Sequence, residues 1–355
     1  MLATVTFLPL PPGTSEADTL EGLRRILNRP EITAVLENGG LTAIKMHFGE
    51  ADKPRTVSPA IVKEIARASR RGGGKPFLAD TNTLYTGKRS NTVDHLITAH
   101  GHGYTYPATT APVVILDGLA GKNFQEVPIN LKHCRTAKIA RDVLSIDTLI
   151  CLTHVTGHIE TGLGASIKNI GMGLASRGGK QAQHSGILPV VNKKKCTACG
   201  ECAKWCPVHA IAVDKCAVID PKVCVGCGEC TVTCPVHAIA VRWDESSVGL
   251  QEKMAEYAFA VLRNIKGPAL FINVILQVTK DCDCMGDAKG GELPPVGIVA
   301  ATDIVAADQA AYDLMVRVCG RDPIKAWYGE TDPLIQVRYA ESIGLGTREY
   351  TLAEV

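Results

Sequence analysis

Residues 196–213, CTACGECAKWCPVHAIAV, and 224–241, CVGCGECTVTCPVHAIAV, are one motif written twice, identical at 13 of 18 positions with an offset of 28. Each half has the spacing C-x2-C-x2-C-x3-C-P. In that spacing three close thiolates hold three corners of a cubane cluster, and the fourth, ahead of the proline, reaches the other cluster. The motif therefore assigns Cys196, Cys199, Cys202 and Cys234 to one 4Fe-4S cluster, and Cys224, Cys227, Cys230 and Cys206 to a second. Pro207 and Pro235 fix the chain direction after the fourth ligand, and Gly200, Gly226 and Gly228 let backbone N–H groups approach the sulfurs. A zinc ribbon uses two separated C-x2-C pairs and does not need four cysteines in eleven residues, twice over. Cys216 fits neither set and reads as a small buried residue of the linking hairpin. Lys193, Lys194 and Lys195, just before the first ligand, read as a solvated face or a docking patch for an acidic redox partner.

Working outward, nine of the 14 cysteines fall between Cys196 and Cys234, and at 355 residues the chain is far below the cysteine density of a disulfide scaffold. Dense, local cysteine points to metal ligation in a reducing compartment, which predicts a cytoplasmic protein. The 38 Lys and Arg against 36 Asp and Glu leave a net charge of +2, with no global attraction to nucleic acid or to an anionic membrane. The longest apolar stretch, Ala269 to Leu276, is broken by Asn273 and falls short of the roughly 18 residues of a spanning helix. The N-terminal MLATVTFLPLPPG lacks the basic start and small-residue cleavage site of a signal peptide.

On both sides of the cysteine window, short apolar runs alternate with helical periodicity, which predicts an α/β fold with a mostly parallel sheet. Strands are expected at Thr42–His47, Pro76–Ala79, Val113–Leu116, Thr148–Leu152, Ala269–Val278 and Val296–Ala300. Helices are expected from Ser58-Pro59 to Gly72, over Asn91–His100, Val248–Ile265 and Asp303–Val318, and after a Gly-rich loop, 162–173. The predicted organisation is an α/β host over 1–186 and 244–355, with a small α+β, bacterial-type ferredoxin module inserted over 187–243.

Ligands of an open α/β sheet bind beyond the carboxyl ends of its strands, and the predicted strand ends carry polar groups. These are Lys45, His47 and Glu50; Asp80, Asn82 and Tyr85; Asp117; and, on the Gly-rich segment, His154, His158, Lys168, Asn169, Lys180 and His184. Three histidines within 31 residues suggest proton transfer or metal binding, although Val155 and Gly157 exclude the H-E-x-x-H zinc helix. Cys282 and Cys284, flanked by Asp281 and Asp283, would point to opposite faces of an extended strand. A turn helped by Gly286 and Gly290-Gly291 would bring them together as a third metal or cluster site; otherwise they are two structural cysteines. Cys134, Cys151 and Cys319 read as core.

In order along the chain, IKMHFGE (44–50), ADTNTLYTGKR (79–89), LDGLAG (116–121), THVTGHIETGLGASIKNIGMGLASRGGK (153–180), the doubled cysteine motif, DCDCMGD (281–287) and IGLGTREY (343–350) resemble the family called domain of unknown function three-six-two, described as uncharacterised iron-sulfur centre proteins. The resemblance implies a cluster-binding α/β protein with a ferredoxin insert, typical of anaerobes, and no settled reaction.

A simple carrier needs only the ~55-residue module, so some 300 further residues with polar strand ends point to an oxidoreductase or a component of one. Electrons from a redox partner protein or low-potential donor would pass through two 4Fe-4S clusters to an anionic small molecule or metal. The expected host site is His154, His158, Lys168, His184, Lys45 and His47, with Cys282 and Cys284 as ligands. The alternatives are a non-catalytic electron-transfer subunit and a metal or cluster maturation protein using Cys282 and Cys284.

Overall fold

The apolar runs before and after the cysteine window hydrogen-bond to one another in one sheet. The computed structural model describes residues 2–50, 55–184, 188–241, 245–284 and 293–355. Its eight-stranded sheet contains β1 (Ala3–Pro9), β2 (Gly40–Lys45), β3 (Gly74–Asp80), β4 (Val113–Ile115), β5 (Thr148–His154), β6 (Ala269–Ile275), β7 (Gly297–Ala301) and β8 (Tyr350–Glu354). The order is β8-β1-β7-β6-β5-β2-β3-β4, parallel throughout except that β7 runs against both β1 and β6. The fold is thus α/β with a mostly parallel sheet. From β2 the chain moves outward to β3 and β4, then returns to lay β5 and β6 on the other flank of β2. This reversal between β2 and β5 opens a crevice at their carboxyl ends.

The sheet is covered on both faces, so its central strands are continuously apolar rather than alternating. Along β5, Leu149 and Cys151 enter one core and Ile150 and Leu152 the other. Helix α1 (Pro59–Arg71) is set by the Ser58 side chain accepting from Ile61 N–H, by Pro59 in the first turn and by Gly72 at the end. The Gly-rich stretch is more ordered than expected. It begins as a small hairpin, Thr156–His158 with Gly162–Gly164, and continues as helices α2 (Ser166–Gly171) and α3 (Arg177–His184). The expected strand over Ala269–Val278 stops at Ile275, and the chain turns at Gln277, whose φ is +53°. The N-terminal apolar run is sheet strand β1.

The cysteine window holds two short helices, α4 (Glu201–Lys204) and α5 (Glu229–Thr233), and two two-stranded ladders, Val190–Val191 with Ile239–Ala240 and Ile211–Val213 with Ala217–Ile219. The expected boundaries near 187 and 243 lie outside the described residues, as do Gly286, Gly290 and Gly291. Beyond the window come α6 (Ser247–Asn264) and α7 (Ile304–Cys319), the latter capped by Asp303, which accepts from Val305 and Ala306 N–H. Among the described residues no helix is long and apolar enough to cross a membrane.

Helix α2 is pressed onto α6: a Cβ at Gly171 would lie 2.0 Å from the Met254 carbonyl oxygen. The Gly171→Ala change should therefore cost about 1–3 kcal/mol, read as a lower urea midpoint with unchanged slope.

Candidate functional site

At the reversal between β2 and β5 lies a cavity of about 640 Å³. The ends of three strands feed it: Lys45 and His47 from β2, Asp80 and Thr81 from β3, and His154 from β5. The small hairpin adds His158, α2 adds Lys168 and Asn169, and α3 adds Lys180 and His184. The turn after β6 closes the cavity with Cys282, Asp283 and Cys284. All six host residues expected from sequence and both outlying cysteines therefore face one space, together with Glu50 and Tyr85.

Its floor is a buried ion network. Asp80 lies 3.1 Å from Lys45 Nζ and 3.4 Å from Arg89 Nη1, and Arg89 also donates to Glu50 at 2.8 Å and to the Tyr85 hydroxyl at 2.7 Å. Burial opposes the Asp80 charge, yet Lys45, His95 and Arg89 outweigh it and hold the carboxyl well below its ordinary range. Lys45 donates to Asn169 Oδ1 at 2.6 Å, fixing α2 to the floor. Arg89 escaped the sequence reading because its neighbours Lys88 and Ser90 mark it as ordinary loop. Only the tertiary fold shows a guanidinium that is 2% exposed.

Burial pushes the amines of Lys168 and Lys180 down to about 8. His47, His158 and His184 are driven below the usual imidazole range by burial and by facing cations, His184 to about 3, so all three are neutral near pH 7. In His47 the Nδ1 accepts from Gly49 N–H at 2.9 Å, and in His158 it accepts from Glu160 and Thr161 N–H, each at 3.2 Å. The proton of each neutral ring is therefore on Nε2. His154 differs: its Nδ1 is 2.9 Å from Asp283 Oδ2 and its Nε2 is 2.8 Å from the Leu276 carbonyl. Two acceptors require two N–H groups. Burial opposes that charge, but Asp283 raises the pKa, so His154 ties the cysteine turn to β6.

Cys282 and Cys284 sit on that turn joined by a disulfide, and their sulfurs and a His158 ring nitrogen all lie within 4.8 Å of one another. Lys168 Nζ lies 3.4 Å from Cys282 Sγ. Of the other cysteines, Cys151 is buried, whereas Cys134, Cys319 and Cys216 are half-buried.

The eight cysteines of the repeat line two separate hollows. One is bounded by Cys196, Cys199, Cys202 and Cys234, and the other by Cys206, Cys224, Cys227 and Cys230, so the fourth cysteine of each half crosses to the other. Backbone N–H groups of Ala210, Ala217 and Ala238 donate to the sulfurs of Cys206, Cys196 and Cys234 at 3.2, 3.4 and 3.1 Å. The bond from Ala217 lowers the pKa of the Cys196 thiol. The chain turns through positive φ at Ala198 and Gly200 and at the matching Gly226 and Gly228.

The second hollow is packed against the wall of the cavity. Buried Arg177, at the start of α3, donates to Glu229 at 3.0 Å and to the Thr83 carbonyl at 3.2 Å. A Cβ at Gly228 would lie 2.9 Å from Leu84 Cδ1, and one at Gly178 would lie 3.4 Å from Cys227 Cα. Leu84 also lines the cavity, and α3 runs from Cys227 to Lys180 and His184 within it. Neither Arg177 nor Glu229 carries a local signal that would have separated it from surface charge.

Compared with known proteins, residues 42–313 match a family model described as Domain of unknown function (DUF362). No curated protein matches the chain. Among solved structures, a lactate racemase apoprotein from Thermoanaerobacterium thermosaccharolyticum aligns at 14% identity with a TM-score of 0.39, covering 78% of this chain and 51% of that one. The chain thus spans about half the length of that racemase.

Asp80→Asn would leave Lys45 and Arg89 with less compensating charge and should destabilise the protein by about 3 kcal/mol or more at pH 7. Because the folded pKa of Asp80 is depressed, its contribution is present above the unfolded value and is lost as pH falls through the folded one. The difference between wild type and variant in urea unfolding should therefore shrink as pH drops below about 4.

Proposed function

We propose that this chain, which belongs to the Domain of unknown function (DUF362) family, is an iron-sulfur oxidoreductase that reduces or oxidises a small anionic molecule in the cavity. Cys196, Cys199, Cys202 and Cys234 would hold one 4Fe-4S cluster, and Cys206, Cys224, Cys227 and Cys230 the other. The two sets of four thiols and the N–H groups aimed at their sulfurs fit such a group. Bound there, the clusters supply single electrons.

One observation carries the reading. Helix α3 starts against Cys227 and ends in a cavity wall furnished with lysines and neutral histidines. An electron carrier has no use for a cavity of this size beside its second ligand set, which favours an enzyme over a transfer subunit. Lys168 would bind the anion, the charges of Lys45 and Lys180, whose N–H groups are spent on protein acceptors, would attract it, and the Nε2–H groups of His47 and His158 would orient it. Lys193, Lys194 and Lys195 are exposed beside exposed Cys199, a surface suited to an acidic redox partner.

Anaerobically purified protein should contain about eight iron and eight sulfide per chain, and Cys230→Ser should lose about half of each. Colourless, iron-free protein would end this reading. If Lys168 binds the substrate anion, affinity for oxalate as a probe, measured by calorimetry, should fall as pH rises through about 8 and its amine loses the proton.

A further inference from the structure

We propose that Cys282 and Cys284 are a redox-active dithiol–disulfide pair, a two-electron store in the wall of the substrate cavity. The inference rests on the proposed function for the origin and the destination of its electrons. The segment Thr83–Tyr85 touches both the cysteine-rich segment and the pair. The Thr83 carbonyl accepts from Arg177, which holds Glu229, Leu84 packs at Gly228, and the Tyr85 hydroxyl donates to the Cys284 carbonyl at 3.1 Å.

The surroundings of the pair suit sulfur redox chemistry better than metal ligation. Two donors converge on Cys282 Sγ: Lys168 Nζ at 3.4 Å and the Cys284 N–H at 3.2 Å. Both stabilise the thiolate that appears when the S–S bond opens. His158 completes a three-residue cluster that has the composition of a metal site. Its nitrogens do not serve one: the Nδ1 lone pair already accepts from two backbone N–H groups, and Nε2 carries the proton. Moving that proton to Nδ1 would set it against the two N–H donors. His158 therefore has no free lone pair to offer a metal ion.

The turn is also braced to keep both sulfurs in place. His154 clamps Asp283, the Thr279 hydroxyl donates to the Asp281 carbonyl at 2.7 Å, and Gly157 N–H donates to the Thr279 carbonyl at 2.8 Å. In the reductive direction the S–S bond takes two electrons, one at a time from a donor of the iron-sulfur class, and two protons from water, giving two thiols. In the return direction the S–S bond re-forms, and the two electrons and two protons pass to an oxidised anion in the cavity.

The test is thiol counting by mass spectrometry on whole anaerobic protein, alkylated before and after reduction with dithionite or dithiothreitol and after reoxidation with ferricyanide. The peptide carrying Cys282 and Cys284 should take no label when oxidised and two when reduced. In Cys284→Ser, Cys282 should take one label in every state, with the iron content of the wild type. Two labels in wild type after every treatment would overturn the proposal. So would loss of a bound metal ion in Cys284→Ser, which would make the pair ligands. Iron-free protein whose pair still cycles with dithiothreitol would refute the clusters and leave the pair standing; full iron with a pair that never cycles would do the reverse.

Discussion

One carboxylate shared by two buried cations sets the site. Asp80, at the tip of β3, lies between Lys45 from β2 and Arg89 from the following loop, and all three are nearly inaccessible to water. Any one of these charges alone would be costly in the interior, whereas together they are tolerable and hold β2, β3 and the loop to one arrangement. Lys45 then grips Asn169, and through it α2 with Lys168. The position of the cavity's cationic wall follows from that arrangement.

A second constraint joins the two parts of the chain. Arg177 is spent on Glu229 and on the carbonyls of Thr83, in the cavity loop, and Ala120, in the turn after β4, so the cysteine-rich segment is fastened to the wall of the site. Helix α3 carries two consecutive glycines, Gly178 and Gly179; a side chain at Gly179 would collide with a neighbour, whereas one at Gly178 would make ordinary contact. Gly178 meets the Cys227 loop, and a Cβ at Gly179 would come 2.3 Å from the Lys138 carbonyl oxygen. Weak helix formers are retained there because close approach matters more than propensity.

The legible part of the sequence was what local pattern encodes. Ser58-Pro59 and Asp303 announce their helices, the unbroken apolar run Leu149–Leu152 announces a strand covered on both faces, and most polar residues at the expected strand ends converge on one space, while Asn82 and Asp117 bond to each other outside its lining. The edge strand β8 and its neighbour β1 were not legible, because they acquire their meaning from partners far away in the chain. The roles within the site were equally hidden. His154, His158 and His184 look alike in sequence, yet one is a clamped cation and two are neutral, and only the acceptors and carboxylates brought by the fold decide which. Arg89, Arg177 and Asp283 belong to the same class: charge that looks solvated until the chain folds over it.

Glu201 and Glu229 are the same residue of the repeat, but Glu201 pairs with neighbouring Lys204 in solvent whereas Glu229 is buried against Arg177. The positions where the copies diverge follow suit: Lys204 and Trp205 are exposed, while their counterparts Val232 and Thr233 are partly covered. Two nearly identical sets of four cysteines thus occupy unequal dielectrics, and a negative charge would be held at a different energy in each. Symmetry of sequence becomes a gradient, and a gradient gives a duplicated module a forward and a backward sense.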